Sequence, residues 1–441
     1  MNKPYFFCQF IPYRAGFLLL PALIILTLTA AAHNNDTDYF RHGDYIHKNN
    51  ISTVLFTQQD FELSDPYIRL NSGDQLILSF DDLDADYKNY QYTIIHCDAD
   101  WQPSELQEHE YIEGFYEDQI NDYYRAMNTR VPYTQYRLEF PGPNLSPSKS
   151  GNYILKVFEG GDRSNVVFTR RFMVFEQHVS IEGSVRQANL VRYRDQKQQL
   201  SFVINTSGYQ VSNPYRDLSV VITQNGRWDN AITDLDPRSV QGDRLVYDYE
   251  DRTLFNGGNE FRHFDIRSLR YLSDRIEDIR SSRRFWDVYL LPDRIRSQER
   301  YFTKDDLNGR FRIMTSDASD DQLESDYAWV HFHLPMDEPL EEGYLYVMGE
   351  LTYWNFTEEN RMNYNYGEQA YELSLLLKQG YYNYLYAYLP EGETTADIGY
   401  IEGNHSFTEN DYTILVYHRK PGDLYDRLIG MSRMNTSISP R

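Results

Sequence analysis

The fold class is indicated by the stretch Tyr67-Ile68-Arg69-Leu70-Asn71-Ser72-Gly73-Asp74-Gln75-Leu76-Ile77-Leu78-Ser79-Phe80. Two short runs rich in aliphatic and aromatic residues flank the turn sequence Asn71–Asp74, which is the pattern of consecutive β-strands. Few windows of the chain show the i, i+3, i+4, i+7 apolar spacing of an amphipathic helix. The sequence therefore predicts an all-β protein with few short helices.

Similar runs continue beyond this stretch and divide the chain into three regions. The first region, residues 51–176, holds several strands at short spacing, the runs Tyr90–Cys97 and Val166–Phe175 among them, and predicts an immunoglobulin-like β-sandwich. Residues 177–338 form a predicted middle β domain, and residues 339–435 a second compact sandwich. In that last region Tyr371–Leu377 and Tyr381–Leu389 are predicted to pair as a hairpin across Gln379-Gly380. The architecture expected is a tandem array of β-sandwiches.

Length and charge limit the possible functions. A chain of 441 residues usually forms about three domains. Lys and Arg number 43 against 66 Asp and Glu, so the net charge is −23 and binding to nucleic acid or to anionic lipid is disfavoured. The 39 Tyr and 24 Phe residues exclude a disordered acidic tail, because they supply ample apolar area to bury.

The N-terminus has the features of a secretory leader. Residues 1–32 carry Lys3 and Arg14, an apolar run and the small residues Ala30-Ala31-Ala32, so they predict a signal peptide cleaved after Ala32, with an uncleaved anchor as the alternative. Residues 33–50 would form a polar mature tail. Cleavage would leave Cys97 as a single cysteine, which favours a bacterial envelope over a eukaryotic secreted protein. No other apolar run reaches about 18 residues, so no membrane-inserted helix is expected.

The motif His96-Cys97-Asp98-Ala99-Asp100-Trp101 places a thiol beside an imidazole. Adjacent residues of a strand point to opposite faces, so His96 cannot act as the base for Cys97, and Cys97 is predicted to fill the core. Asp98, Asp100 and Ser104 suit a turn and the N-cap of a helix beginning at Glu105.

Two further clusters resemble metal ligands. Asp82, Asp84 and Asp86 alternate as in a calcium loop, but the glycine and glutamate of the EF-hand pattern are missing, so a solvated acidic turn is the simpler interpretation. His331 and His333 share one face of a strand without an evident third ligand. No nucleophile elbow, phosphate loop or HExxH motif is present. We therefore predict no catalytic, cofactor-binding or metal-binding residues, and no enzyme.

The segment from Glu260 to Arg312 is dense in arginine within an otherwise acidic chain. Pairing with interspersed acids of the same domain, Asp265, Asp274, Glu277 and Asp278, is the favoured interpretation. A partner-binding face is the alternative, since arginine forms bidentate pairs with carboxylates. The residues chosen for such a face are Arg280, Arg283, Arg284 and Trp286.

Aromatic residues are concentrated in the third region. Trp354 is followed by tyrosines at positions 364, 366, 371, 381, 382, 384, 386 and 388. Several exposed rings would bind sugars by stacking, which makes an envelope carbohydrate-binding protein the alternative function. Alternating tyrosines also build ordinary sandwich cores, and that interpretation is favoured. A hydrolase would instead need convergent carboxylates or a distant histidine beside Cys97.

Several ordered blocks carry a family resemblance. The run from Tyr90 to Ser104, Tyr-Gln-Tyr-Thr-Ile-Ile-His-Cys-Asp-Ala-Asp-Trp-Gln-Pro-Ser, resembles the signature of the type IX secretion system plug proteins of Bacteroidota. Further similar blocks are Glu110–Phe115, Ser150–Val157, Gln224–Ala231 and Phe255–Arg262. The segment Gly349–Trp354 is also similar to early-set sandwiches related to glycogen-binding modules. Glycan binding is not carried over, because Trp354 is the only tryptophan after Trp329.

The plug resemblance implies a periplasmic, non-enzymatic protein that is peripherally associated with the outer membrane. Its implied partner is the outer-membrane translocon β-barrel of type IX secretion, whose periplasmic opening it would close. The resemblance implies no cofactor.

Overall fold

The computed structural model describes residues 43–436. The chain divides into two compact units, and these residues belong to the second, Arg41–Arg441. The predicted signal peptide, residues 1–32, and the predicted tail up to residue 42 lie outside the described residues. The described part is nearly all β, with antiparallel sheets predominating, which confirms the predicted fold class. Within it, no helix has the length and apolar character needed to cross a membrane.

The first sandwich is formed by the N-terminal part of the described chain. Its elements are β1 (Tyr45–Ile46), β2 (Ile51–Gln58), β3 (Tyr67–Arg69), β4 (Leu76–Asp82), β5 (Tyr90–Cys97), α1 (Glu108–Tyr111), β6 (Ile112–Gly114), β7 (Asp118–Gln119), β8 (Asp122–Arg125), β9 (Thr134–Phe140), β10 (Leu145–Pro147), β11 (Gly151–Glu159) and β12 (Val166–Phe175). One sheet, β1-β12-β11-β5-β7 with β3 beside β12, packs against a second sheet, β2-β4-β9-β8. Rings from the two sheets meet in the core, where the centroids of Phe80 and Phe168 are 4.9 Å apart.

The second sandwich takes its first strands from the middle of the chain. They are β13 (Ser180–Gln187), β14 (Lys197–Asn205), β15 (Leu218–Gln224), β16 (Arg227–Ile232), β17 (Ser239–Gln241), β18 (Arg244–Tyr247) and β19 (Leu254–Asn256), with the short helix α2 (Pro214–Asp217) and a 3₁₀ turn at Val191–Tyr193. One sheet runs β13-β14-β18-β17, with β19 beside β14.

The third sandwich follows in sequence. Its elements are β20 (Arg262–Asp265), β21 (Ile276–Ser281), β22 (Trp286–Leu290), β23 (Phe311–Ile313), β24 (Tyr327–Pro335), β25 (Tyr344–Met348), β26 (Asn363–Asn365), β27 (Ala370–Lys378), β28 (Gly380–Leu389) and α3 (Gly399–Glu402), with a 3₁₀ turn at Glu350–Thr352. The sheet β21-β22-β24-β27-β26 faces the strands β20, β23 and β25, all of which pair with β28.

The chain then returns to the second sandwich through β29 (Asp411–His418) and β30 (Arg427–Asn435). Strand β29 pairs with β15 over seven residues, from Leu218 opposite His418 to Gln224 opposite Tyr412, and completes the sheet β16-β15-β29-β30. The predicted boundary between residues 338 and 339 therefore falls inside the third sandwich, which is inserted into the second. A local pattern identifies strands but not their distant partners.

Two other local predictions are wrong. Strands β27 and β28 do not form a hairpin, because β27 pairs with β24 and β28 pairs with β20 and β25 in the facing sheet. The predicted helix at Glu105 begins instead at Glu108, with Gln107 at its N-cap. Ser104 is engaged elsewhere, since its hydroxyl lies 2.9 Å from Nδ1 of His96.

A group of charged side chains joins all three sandwiches. Arg310 of the third sandwich lies 3.3 Å from Asp65 of the first and 3.2 Å from Asp411 of the second. Arg433 on β30 also contacts Asp65, at 3.0 Å. Ion pairs that are partly buried are screened less by salt than ion pairs on the surface. The three sandwiches are thus tied at one charged junction.

Candidate functional surface

The motif at His96 and Cys97 is structural. Cys97 is fully buried, and burial raises the pKa of its thiol to about 12, so the reactive thiolate is disfavoured. Burial also lowers the pKa of His96 to about 4. The Nε2 atom of His96 lies 3.1 Å from the carbonyl oxygen of Ser150, and its Nδ1 atom is bonded to Ser104, so the imidazole ties strands to loops.

The alternating acids Asp82, Asp84 and Asp86, at and after the end of β4, share a single lysine of the same loop. Nζ of Lys88 lies 3.0 Å from Asp82 and 3.7 Å from Asp86, and it also contacts Asp84. The three carboxylates of the motif therefore converge on one ammonium group. Tyr90 donates a further hydrogen bond to Asp82 at 2.9 Å.

The two histidines on β24 form cross-strand pairs instead of a metal pair. His331 lies between Ser374 (2.7 Å) and Asp287 (3.3 Å), and His333 lies 3.3 Å from Glu372. Across residues 43–436, no group of three or more His, Cys, Asp or Glu side chains has an arrangement suited to a metal ion.

Most arginines of the arginine-rich segment form salt bridges, but of the four acids predicted to pair with them only Asp265 and Asp278 do so, and Arg310 and Arg312 pair with acids of the other two sandwiches. The salt bridges involve nine of its arginines: Arg262 with Asp293 and Glu402, Arg267 with Asp265, Arg270 with Asp317, Arg275 with Asp293, Arg280 with Asp278, Arg294 with Glu299, Arg296 with Glu402, Arg310 with Asp65 and Asp411, and Arg312 with Glu62. The segment is therefore not a continuous basic surface.

Two of the four chosen residues stand at the tip of the hairpin that joins β21 to β22. The hydroxyl of Ser282 accepts hydrogen bonds from the backbone N–H groups of Arg284 (3.3 Å) and Phe285 (3.0 Å), which closes a tight turn. Arg283 and Arg284 are exposed at this turn, and neither side chain forms a salt bridge with another described residue. Arg280, by contrast, pairs with Asp278 at 2.7 Å.

Trp286 anchors the hairpin to the first sandwich and is not a free contact residue. The guanidinium group of Arg130 stacks 3.9 Å from its ring, and its indole N–H donates to Asp326 at 3.1 Å. Asp326 also accepts the backbone N–H groups of Arg130 (2.9 Å) and Val131 (3.1 Å). One carboxylate thus fixes the hairpin and the segment after β8 together.

Beside this hairpin lies an exposed strand edge that the sequence analysis did not identify. All four residues of β8 are exposed, and β8 is an edge strand of its sheet. Tyr123 is 45%, Tyr124 51% and Met127 52% exposed. The chain runs from β8 to Arg130, which also bonds the backbone carbonyl of Ser282. We call the hairpin tip at Arg283 and Arg284, together with the exposed edge at Tyr123, Tyr124 and Met127, the hairpin surface. The sequence signal for this edge was the aromatic pair inside Asp-Tyr-Tyr-Arg.

The tyrosines of the third region build its core. Tyr382, Tyr384 and Tyr386 are buried, and Tyr366 is the only one of the eight that is exposed. Trp354 packs edge-on against Phe261, with ring centroids 6.1 Å apart. These positions do not form the exposed coplanar platform that sugar stacking requires.

Comparison with known proteins identifies the family. No curated protein matches the chain significantly. Among solved structures, the crystal structure of a hypothetical protein from Parabacteroides merdae ATCC 43184 is similar, with 36% identity and a TM-score of 0.87. The alignment covers 89% of this chain and 99% of that one. Residues 51–176 match the family model of the type 9 secretion system plug protein first domain. The chain belongs to the type 9 secretion system plug protein family.

Proposed function

We propose that the protein is a non-enzymatic periplasmic plug that closes the periplasmic opening of the outer-membrane translocon barrel of type IX secretion by protein–protein contact. The observation that carries this proposal is the match of residues 51–176 to the first domain of the plug family. In this proposal the protein associates peripherally with the outer membrane.

The mechanical design suits such a role. A plug needs a rigid body, since a flexible one would leak, and it needs no bond-making chemistry. The three sandwiches are joined through Arg310, Asp65 and Asp411, and a buried ion pair links Asp81 of the first sandwich to Lys378 of the third at 2.6 Å. These ties support a body that docks and leaves as a unit.

We infer that the hairpin surface contributes to docking. Arg283 and Arg284 present two uncompensated positive charges at a hairpin tip that Arg130 joins to the segment after β8, and β8 itself exposes the rings of Tyr123 and Tyr124 on its two faces. Arginine and tyrosine are enriched at protein interfaces, where they combine apolar contact with hydrogen bonding. A surface of this mixed polarity suits a reversible contact better than an obligate one.

The first experiment is isolation of the tagged protein from detergent-solubilised outer membranes. Recovery of the giant translocon barrel in stoichiometric amount is expected, together with release of the protein in the periplasmic fraction when the barrel is deleted. Isolation without any barrel would overturn the plug proposal.

The second experiment tests the hairpin surface. The double variant Arg283→Glu/Arg284→Glu should recover less barrel than the wild type, and the difference should be larger at low salt than at high salt. Arg192→Glu/Arg194→Glu is the matched control, because it makes the same charge change at exposed positions of the second sandwich. Equal recovery for both double variants would exclude this surface and leave the plug proposal standing.

A further inference from the structure

A small pocket in the third sandwich collects cationic side chains of the arginine-rich segment. Its volume is about 170 Å³. Two carboxylates, Asp293 and Glu299, line it, against five cations: Arg262, Arg275, Arg294, Arg296 and Lys304. A local excess of positive charge is notable in a chain with a net charge of −23.

Two buried carboxylates hold three of these arginines in fixed positions. Arg262 lies 2.9 Å from Asp293 and 2.9 Å from Glu402. Arg275 reaches the same Asp293 at 2.9 Å, and Arg296 reaches the same Glu402 at 2.7 Å. Glu402 is fully buried and Asp293 nearly so. Three guanidinium groups thus share two carboxylates, which leaves one positive charge uncompensated.

Buried tyrosine hydroxyls fix one carboxylate of this network, while some of its arginine N–H groups have no hydrogen-bond partner among the described residues. The buried hydroxyls of Tyr384 and Tyr386 donate to Asp293 at 2.5 and 2.8 Å, so this carboxylate cannot easily turn away. Arg275 uses only Nη2 in its hydrogen bonds with other described residues, which leaves its Nε and Nη1 donors available, and its side chain is 31% exposed. Fixed donors of this kind bind anions without reorganisation.

Lys304 adds a cation without a carboxylate partner. Its Nζ lies 3.1 Å from Nδ1 of His263, while Nε2 of His263 bonds Asp274 at 2.6 Å. With the ring proton on Nε2, Nδ1 accepts from the ammonium group, and Lys304 forms no salt bridge within residues 43–436. With Asp274 and Glu402 included, five cations stand against four carboxylates, and a fifth carboxylate, Asp306, lies next to the lining, where it accepts from the backbone N–H of Phe261.

We propose that this pocket binds a small oxyanion, a phosphate or a carboxylate group, between Lys304 and the free N–H groups of Arg275. The pocket is smaller than the roughly 300–1,000 Å³ of sites for drug-sized ligands, so it admits one ionic group. Binding of a free ion does not depend on the translocon, so this inference stands apart from the plug proposal.

The test is titration of the mature protein with inorganic phosphate, followed by calorimetry and by the shift in thermal midpoint, at constant ionic strength set with sodium chloride. Parallel titration with acetate distinguishes a phosphate site from a carboxylate site. The wild type should show saturable binding of at least one anion. Lys304→Gln should weaken that binding about tenfold, the effect of losing one charge-assisted hydrogen bond, and it leaves the buried network intact.

The matched control is Lys420→Gln, which removes an exposed lysine from the loop after β29 and should bind like the wild type. Absence of saturation with both anions would overturn the proposal. Equal affinity of the wild type and Lys304→Gln, or equal weakening in both variants, would also overturn it, because the effect would then reflect overall charge.

Discussion

Replacement of Lys378 by methionine should strongly destabilise the described body. Lys378 at the end of β27 and Asp81 on β4 form an ion pair of 2.6 Å, with side chains 0% and 1% exposed. Tyr327 donates to the same oxygen of Asp81 at 2.7 Å, and Lys378 donates to the backbone carbonyl of Gln322 at 2.8 Å. Burial lowers the pKa of Lys378, and the attraction of Asp81 opposes that change.

The magnitude follows from what each substitution leaves behind. Lys378→Met leaves the carboxylate of Asp81 buried without a cation, which costs about 3–5 kcal/mol. In Lys378→Met/Asp81→Asn no charge remains, and the amide oxygen still accepts from Tyr327, so the double variant should be more stable than the single one. For one cooperative unit of this size, the single change corresponds to a fall in melting temperature on the order of 4–6 °C.

Urea unfolding followed by tyrosine and tryptophan fluorescence, together with calorimetry, measures these differences. Lys420→Met serves as the control, because it makes the same substitution at an exposed site and should change stability by less than about 0.5 kcal/mol. A loss below about 1 kcal/mol in Lys378→Met would refute the reasoning. So would a double variant less stable than Lys378→Met, since the buried lone charge would then not be the cause.

Three further predictions concern buried titratable groups. Because burial lowers the pKa of His96 to about 4, its stabilising contribution is present above pH 6.5 and lost as the pH falls toward 4. In urea unfolding, the free energy of unfolding of His96→Gln should therefore fall less steeply with decreasing pH than that of the wild type. An equally steep fall would contradict this. Burial raises the pKa of Glu260 to about 7, so its contribution is present below pH 4.5 and lost as the pH rises to 7. Glu260→Gln should therefore gain stability relative to the wild type between pH 5 and pH 8; a constant difference would argue against it. The thiol of Cys97 should react with a disulfide reagent only after unfolding in urea, and rapid modification of the folded protein would disprove its burial.

Much of the first sandwich could be predicted from local sequence. Strands β5 and β12 were predicted with the bounds that the structure has, Tyr90–Cys97 and Val166–Phe175. Both are runs of aromatic and β-branched residues, which fit a pleated surface that is buried on one or both faces. The structural role of Cys97 also followed from strand geometry alone.

The pairing of the second and third sandwiches could not be predicted in this way. Gln379-Gly380 has the composition of a hairpin turn, but a Cβ atom at Gly380 would lie 2.4 Å from the backbone oxygen of Arg312. The glycine is therefore required by the close approach of β23 to β28, not by a turn between paired strands. Likewise, nothing in the residues 218–224 of β15 specifies a partner almost two hundred positions away.

The pattern of charged residues could be interpreted only from the three-dimensional structure. From the sequence, pairing with the interspersed acids was the favoured interpretation of the arginine-rich segment, yet much of its charge is neutralised by carboxylates outside the predicted set, such as Asp293 and Glu402. Three sites in the segment keep a cation without a salt bridge among the described residues: the hairpin tip at Arg283 and Arg284, the exposed Arg300, and Lys304 at the pocket. Sequence spacing could identify local pairs such as Arg280 with Asp278, but it could not identify the others, because acids such as Glu402, Asp65 and Asp411 come from distant parts of the chain.

Salt should weaken the contacts of the docking surface more than the buried contacts of the framework. Exposed charges more than about 8–10 Å apart are largely screened at physiological ionic strength, whereas buried pairs are screened much less. Contacts made through Arg283 and Arg284 should therefore weaken as salt rises, while the buried tie between Lys378 and Asp81 should hold. Release of the barrel at high salt, with an unchanged urea midpoint of the protein alone, would locate the salt-sensitive step at the docking surface. A parallel fall in both would place it in the framework instead, and docking would then depend on how the sandwiches are held together.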